Sequence, residues 1–231
     1  MSYPIKYPTP QGANIQIFNV RDAANNGIVG WTKPQGASFV WFTLIGGGGG
    51  SDTAATTLVG GGSGVVTNFM GPAFLMPDFL EITVGGGGVG GADGTASNVY
   101  YVNRGGSTYF SLLLQANGGR SGNSGGAGGT AMTANYFTAM GFFQSVAGQA
   151  GINGNQSASA TTFLSGGSYN GSVTGNYGYT NAGNGFFQTQ PIIVGTGGGV
   201  TTSGKGGIGC GGGGTSSARS GGDGMVVIIT W

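Results

Sequence analysis

The side chains that could carry acid–base, nucleophilic or metal chemistry are few and scattered in this chain of 231 residues. It has no histidine and six acidic residues, and the nearest carboxylates in sequence are Asp78 and Glu81. General acid–base catalysis uses histidine or paired carboxylates in a tuned site, but this spacing fits a turn residue and a strand residue. Cys210 has no histidine to activate it, and metal sites need clustered ligands. The sequence therefore predicts no catalytic residues, no metal, no cofactor and no enzyme activity.

The distribution of charge excludes further classes of protein. Seven basic and six acidic residues are spread along the chain and leave a net charge of +1, whereas nucleic-acid binding needs clustered Lys and Arg. No apolar run approaches the ~20 residues that span a bilayer, so we expect no membrane insertion. The first residues, MSYPIKYPTPQG, lack the apolar segment of a signal peptide. Cytoplasmic folding with a surface poor in charge is typical of a virion protein, assembled inside the host cell and exposed on the particle.

Glycine dominates the composition, with 56 residues. The simplest interpretation is a flexible linker, but 11% of the residues are aromatic, and disordered chains are poor in aromatics. Between the glycines lie four apolar runs of β type, residues 38–45, 80–84, 109–115 and 225–231. The sequence therefore predicts a folded, all-β protein.

Ordering a glycine costs more backbone entropy than ordering any other residue. A fold with this many ordered glycines must therefore contain a structural feature that only glycine permits. One possibility is turns with positive φ; the other is glycine runs packed side by side with no Cβ between them. The blocks at 46–50, 60–62, 85–88, 197–199 and 211–214 favour the second. A threefold polyproline II-type helix leaves its N–H groups free when it is built from glycine, so neighbouring runs can bond laterally.

The chain divides into two predicted parts. Residues 1–36 hold four of the seven prolines and few glycines, which indicates an N-terminal attachment arm with one strand. Residues 37–231 form the glycine-rich domain, for which we predict a jelly-roll-like β-sandwich with inserted polyglycine II helices. The closing run Val226-Val-Ile-Ile229 is apolar on both faces, which is typical of a central strand.

The candidate binding surface lies between residues 150 and 190, where Gly, Asn, Ser and Thr alternate with aromatic residues. Antibody loops bind with the same composition, because Tyr supplies rigid contact area and small polar residues supply adaptable hydrogen bonds. For the phenylalanines, packing in the core is the favoured alternative. The predicted receptor-binding residues are Tyr169, Tyr177, Tyr179, Phe186 and Phe187.

The order of strands and glycine blocks resembles a known family. Residues 39–50, 80–88, 115–119 and the closing Gly221-Gly-Asp-Gly-Met-Val-Val-Ile-Ile-Thr-Trp231 are similar to the glycine-rich domains of bacteriophage tail-fibre and tail-tip adhesins. The resemblance implies a virion protein that binds a host surface glycan or outer-membrane protein. It also implies attachment to other virion proteins through the N-terminal arm, and a homo-oligomer with a trimer favoured.

The sequence leaves two other functions open. A capsid decoration or fibre-cementing protein would use the same aromatic residues to contact neighbouring subunits. An ice-binding polyglycine bundle is a remote alternative, because it would call for regular Gly-x-x spacing that the sequence lacks.

Overall fold

The structure, a computed structural model, describes residues 13–20, 28–51, 59–102, 110–153, 164, 168–169, 206–213 and 219–231. Within these ranges the regular elements are β-strands and three short 3-10 turns, at Ala73–Leu75, Gly122–Ser124 and Thr138–Met140. The strands are β1 (Asn14–Asn19), β2 (Ile28–Thr32), β3 (Phe39–Ile45), β4 (Val66–Pro72), β5 (Phe79–Thr83), β6 (Ser97–Val102), β7 (Phe110–Ala116), β8 (Phe142–Val146), β9 (Ile152–Asn153), β10 (Ser168–Tyr169) and β11 (Met225–Thr230).

Two antiparallel sheets make up the body of the protein. The first has five strands in the order β1-β11-β3-β4-β8, and the second has four in the order β2-β5-β6-β7. β11 lies between β1 and β3, with Val226 opposite Phe18 on one side and Leu44 on the other. The prediction that the C-terminal run is a central strand is therefore confirmed.

The two sheets pack face to face around one core. Alternation along β3 directs Val40, Phe42 and Leu44 inward, and each is fully buried, as expected for a strand with one face on a core. The Phe42 ring meets Trp31 of the opposite sheet edge-to-face, with ring centroids 5.9 Å apart. The predicted all-β sandwich is confirmed.

The predicted arm, residues 1–36, contributes two of these strands. β1 pairs along its length with β11, and β2 pairs with β5. Trp31 of β2 is 1% exposed and Phe18 of β1 is 8% exposed, so both side chains belong to the core of the sandwich. Residues 1–12 lie outside the described residues, and an attachment role for them stays a prediction.

Seven of the described glycine runs adjoin a strand of the sandwich, all at the same end. β3, β5, β7 and β8 each lead directly into a run, and β4, β6 and β11 each follow one. Antiparallel pairing places all seven junctions together. We call the stacked runs the glycine bundle. Its members in the described ranges are residues 46–51, 59–65, 84–88, 92–96, 117–121, 126–129, 147–151, 206–213 and 219–224.

Candidate binding surface

The run at residues 46–51 shows how the glycine bundle is built. Its successive backbone amides point to three neighbouring runs in turn, and every third amide returns to the same neighbour. This 120° rotation per residue is that of the threefold polyproline II-type helix. The amides of Gly46, Gly47, Gly48, Gly49, Gly50 and Ser51 donate, in that order, to the carbonyl oxygens of Val65, Thr95, Gly222, Gly62, Ala92 and Arg219, with N–O distances of 2.8–3.0 Å.

The carbonyl oxygens of the same run point to three other neighbours. The Gly48 oxygen accepts from the Gly88 amide, and the Gly49 oxygen accepts from the Gly212 amide. Those of Gly47 and Gly50 accept from the amides of residues 119 and 122, again three apart. The run donates to three neighbours and accepts from three, so it is surrounded by six.

The six surrounding runs are also bonded to one another in a closed ring. Six backbone hydrogen bonds each join two runs that are adjacent in the ring, so the backbone polar groups buried in the bundle are paired laterally. Going once around, these bonds run from Val65 N to Asn117 O, Gly94 N to Gly119 O, Thr95 N to Gly86 O, Gly221 N to Gly88 O, Gly222 N to Cys210 O and Gly61 N to Gly212 O.

This packing explains the glycine content, because a side chain has no room inside the ring. A Cβ built on Gly48 would collide with the Cys210 carbonyl, and one on Gly49 would collide with the Arg120 carbonyl. Positive φ is confined to Gly36, Gly90, Gly91, Gly125, Gly126 and Gly209 among the described glycines. The predicted side-by-side packing of glycine runs is confirmed, and fewer of the described glycines serve in positive-φ turns.

The far end of the bundle, which we call the tip, carries the connections between runs. Of these, residues 89–91 and 122–125 lie in the described ranges. Gly90 and Gly91, with φ of 59° and 83°, close the first connection, and Gly125, with φ of 84°, closes the second. Such values favour glycine, so each pair of runs is reversed within a few residues.

Side-chain hydrogen bonds hold the two described connections in place on the bundle. The Asp93 carboxylate accepts the Ser121 amide at 2.7 Å, and the Asn123 side-chain amide donates to the Gly91 carbonyl at 3.4 Å. Nearby, the Arg219 amide donates to the Ser51 hydroxyl at 2.8 Å. Val89 is 71% exposed beyond these bonds. The described part of the tip is therefore an ordered surface that presents small, polar and apolar groups to solvent.

We expect Asp93→Ala to loosen the tip, because the Ser121 amide is part-buried and would lose its acceptor. An unmade bond of this kind costs about 1–3 kcal/mol. Amide hydrogen exchange measured by mass spectrometry should rise at residues 121–126 and stay unchanged in the sandwich. Asp93→Asn keeps an acceptor oxygen and should restore most of the protection; equal exchange in the alanine variant and the native chain would contradict the role of Asp93.

The residues predicted from the sequence to bind a receptor fall largely outside this surface as described. The Tyr169 backbone lies in β10, which pairs in parallel with β9 and places residue 169 opposite Asn153. β9 continues the run at 147–151, whose Gly151 amide donates to the Gly126 carbonyl at the tip. Tyr177, Tyr179, Phe186 and Phe187 lie outside the described residues. The sequence interpretation missed Val89 and Asn123, although the Gly-Gly pairs that follow them signal turns.

The described ranges contain no group of three His, Cys, Asp or Glu residues that could hold a metal ion. None of the helical segments described there is long and apolar enough to cross a membrane. Cys210 is fully buried, and the only thiol in the sequence thus lies inside the fold.

Comparison with known proteins gives one assignment. A family model described as a glycine-rich domain matches residues 23–231, and the chain belongs to this family. The match begins before β2, in agreement with the position of β2 inside the sandwich. No match to a curated protein was found.

Proposed function

We propose that this member of the glycine-rich domain family is a bacteriophage tail-fibre or tail-tip adhesin, whose glycine bundle holds binding loops away from the particle. The observation that supports this proposal is the closed ring of runs around residues 46–51, which makes a stiff support; the two connections described at its end, 89–91 and 122–125, are ordered. A simple linker would not order its glycines in this way, because the entropy cost is high.

The direction of β1, β3 and β11 fits a display role. Asn14 lies opposite Thr230, and the Trp231 amide donates to the Phe39 carbonyl. All four residues are at the end of the sandwich far from the bundle, which we call the base. Strands of six or seven residues and runs of about five separate base from tip by about 35–40 Å. The base is therefore free to face a particle while the tip faces outward.

The chemistry of the tip favours binding over catalysis. Its described side chains are Ser, Asn and Val between glycines, with the exposed Arg120 and Arg219 at the rim. Such groups contact polar surfaces by hydrogen bonding and shape. A glycan or an outer-membrane protein loop on the host cell is the corresponding target, and a contribution from the aromatic residues between 150 and 190 stays a prediction from the sequence.

A substitution at the tip tests this proposal. Val89→Asp should weaken the ability of the purified chain to block phage adsorption to its host by at least tenfold. A tenfold change corresponds to a loss of about 1.4 kcal/mol of binding free energy, which is modest for a residue at the centre of a contact. Phe74→Asp is the matched control, because Phe74 is 79% exposed but lies at the base, and it should compete like the native chain. Equal competition by both variants, or no competition by the native chain at saturation, would exclude the tip as the binding surface.

A capsid decoration or fibre-cementing protein is the second candidate, and the apolar base favours it. Phe39 and Phe142 are 42% and 41% exposed there, as in a surface that contacts a neighbouring subunit. Phage particles that lack the chain discriminate between the two functions. Normal adsorption with reduced heat stability would support decoration, and lost adsorption with intact particles would support the adhesin.

A further inference from the structure

The first tip connection is a turn whose backbone amides are unused within the described chain. The Ala92 amide donates to the Val89 carbonyl at 3.1 Å, and the positive φ of Gly90 and Gly91 fits a type I′ turn. The amides of Val89, Gly90 and Gly91 donate to no acceptor in the described ranges. Successive backbone N–H groups in a turn make a concave site for an anion, so this turn offers donors to a negatively charged ligand.

The second tip connection differs, because it uses its amides inside the chain. The Gly122 amide donates to the Gly50 carbonyl, the Ser124 amide to the Ser121 carbonyl and the Gly125 amide to the Gly122 carbonyl, at 2.8–3.0 Å. Two connections of similar length at one end of the bundle therefore differ in the donors that they leave for a ligand.

A cation is fixed beside the first connection. The fully buried Ser51 holds the backbone of Arg219 by two bonds of 2.8 Å, from the Ser51 amide to the Arg219 carbonyl and from the Arg219 amide to the Ser51 hydroxyl. A Cβ on Gly50 would lie 3.1 Å from both the Arg219 carbonyl oxygen and the Gly91 nitrogen, so the turn and Arg219 are neighbours. Arg219 is exposed and makes no ion pair with a described residue.

The surrounding charges distinguish Arg219 from Arg120, the other exposed arginine of the bundle. The Asp93 carboxylate accepts the amide of Ser121, the residue after Arg120, at 2.7 Å, so an anion on that side of the tip would meet a negative charge. In the run that begins at Arg219, the first acidic residue is Asp223. Four residues at ~3.1 Å each separate the two by about 12 Å, which exceeds the screening length of about 8–10 Å.

We propose that Arg219 and the turn at residues 89–91 form an anion site, which binds a carboxylate or phosphate group of an acidic glycan on the host surface. The inference rests on the proposed adhesin function for its ligand. A guanidinium matches the geometry of carboxylate and phosphate oxygens, and the turn amides add further donors. The Ser and Asn groups of the tip are left to contact sugar hydroxyls. One exposed cation predicts weak binding to a single sugar, with a dissociation constant of about 1 mM.

The test is a titration of the ¹⁵N-labelled full-length chain, followed by NMR, with glucuronate, glucose 6-phosphate and glucose. Both acidic sugars should shift the amide signals of residues 89–91 with half-saturation near about 1 mM, and glucose should not. Arg219→Gln should weaken this binding at least about tenfold, because a charge-assisted hydrogen bond is lost. The Ser51 contacts are made by the Arg219 backbone, so the variant keeps them. Arg120→Gln is the matched control and should bind like the native chain.

The two acidic sugars distinguish a carboxylate ligand from a phosphate ligand. Asp52, which follows Ser51 in sequence and lies outside the described residues, supplies another variant: Asp52→Asn should bind no more weakly, since an acidic side chain repels an anion. Glucose binding as tightly as the acidic sugars would overturn the anion site, and so would equal losses in both arginine variants. Inorganic phosphate that binds as tightly as glucose 6-phosphate would overturn the glycan ligand, as would a tetraglutamate peptide that binds more tightly than either acidic sugar.

Competition with phage adsorption separates this inference from the proposed function. An Arg219→Gln chain that has lost acidic sugars but competes like the native chain would overturn the anion site as a receptor contact and leave the adhesin standing. A native chain that binds acidic sugars at residues 89–91 but does not block adsorption would overturn the adhesin alone.

Discussion

Replacing Gly48 with alanine should destabilise the protein by at least about 3 kcal/mol, the upper end of what overpacking costs in a core. Gly48 is in the middle of the central run, where its amide bonds to Gly222 and its carbonyl accepts from Gly88. The added methyl would meet the Cys210 carbonyl and the Gly211 amide. These are backbone atoms held by their own hydrogen bonds, so they cannot rotate away as a side chain would.

Gly86→Ala is the matched control in a neighbouring run. The nearest atom to a Cβ at Gly86 is the Thr95 hydroxyl oxygen, at 3.9 Å, which is an ordinary contact. Since alanine restricts the unfolded chain, this substitution should be neutral or stabilising by about 0.4–1 kcal/mol. Thermal and urea unfolding of both variants supply the comparison. A Gly48→Ala protein as stable as the native chain would show that the central run has room for side chains and is not packed as described.

The strands of this fold were predictable from local sequence. The run at 39–45 is rich in apolar and aromatic residues and leads directly into glycine, and the run at 225–230 is apolar on both faces. Both became central strands of one sheet. β1 and β2 were harder to place, because the prolines and polar residues around them indicated an arm, while their sheet positions depend on pairing with β11 and β5, far away in sequence.

The glycine bundle was predictable only in part. Blocks of consecutive glycine identify several of the runs, including the enclosed one at 46–50. Runs on the perimeter need glycine only where they face inward. In 92–96, Gly94 faces the central run while Asp93 and Thr95 are exposed, so this member has no glycine block. Its membership depends on lateral hydrogen bonds that no local pattern encodes.

The residues of the tip were likewise predictable from local sequence only in part. Composition indicated a binding surface in the aromatic stretch at 150–190, since aromatic and Asn residues are good contact groups. What brings Val89 and Asn123 to one surface is the stacking of separate runs, which places distant turns side by side. Predicting the tip therefore requires knowing which runs lie side by side in the bundle, and a single sequence does not show this.

Phe42→Ala should lower the free energy of unfolding by about 3–5 kcal/mol, the usual cost of removing a buried phenylalanine. The Phe42 ring is fully buried between Trp31 and Phe69, whose ring centroids lie 5.9 and 6.5 Å away. Phe74→Ala is the control with the same side chain removed, and at 79% exposure it should change stability by less than about 0.5 kcal/mol.

The larger consequence of Phe42→Ala concerns the bundle, which the substitution does not touch. β3 continues without a break into the central run, and the described part of the bundle buries only a few side chains, such as Val65 and Cys210, so we expect its ordering to depend on strands that the sandwich holds in place. If the two parts unfold as one unit, the loss of about 3–5 kcal/mol should speed amide exchange at residues 46–50 by about 10²-fold to several 10³-fold, in step with the core strands. Unchanged exchange at those glycines would show instead that the bundle is stable by itself, and that its lateral hydrogen bonds offset the entropy of ordering glycine without help from the sandwich.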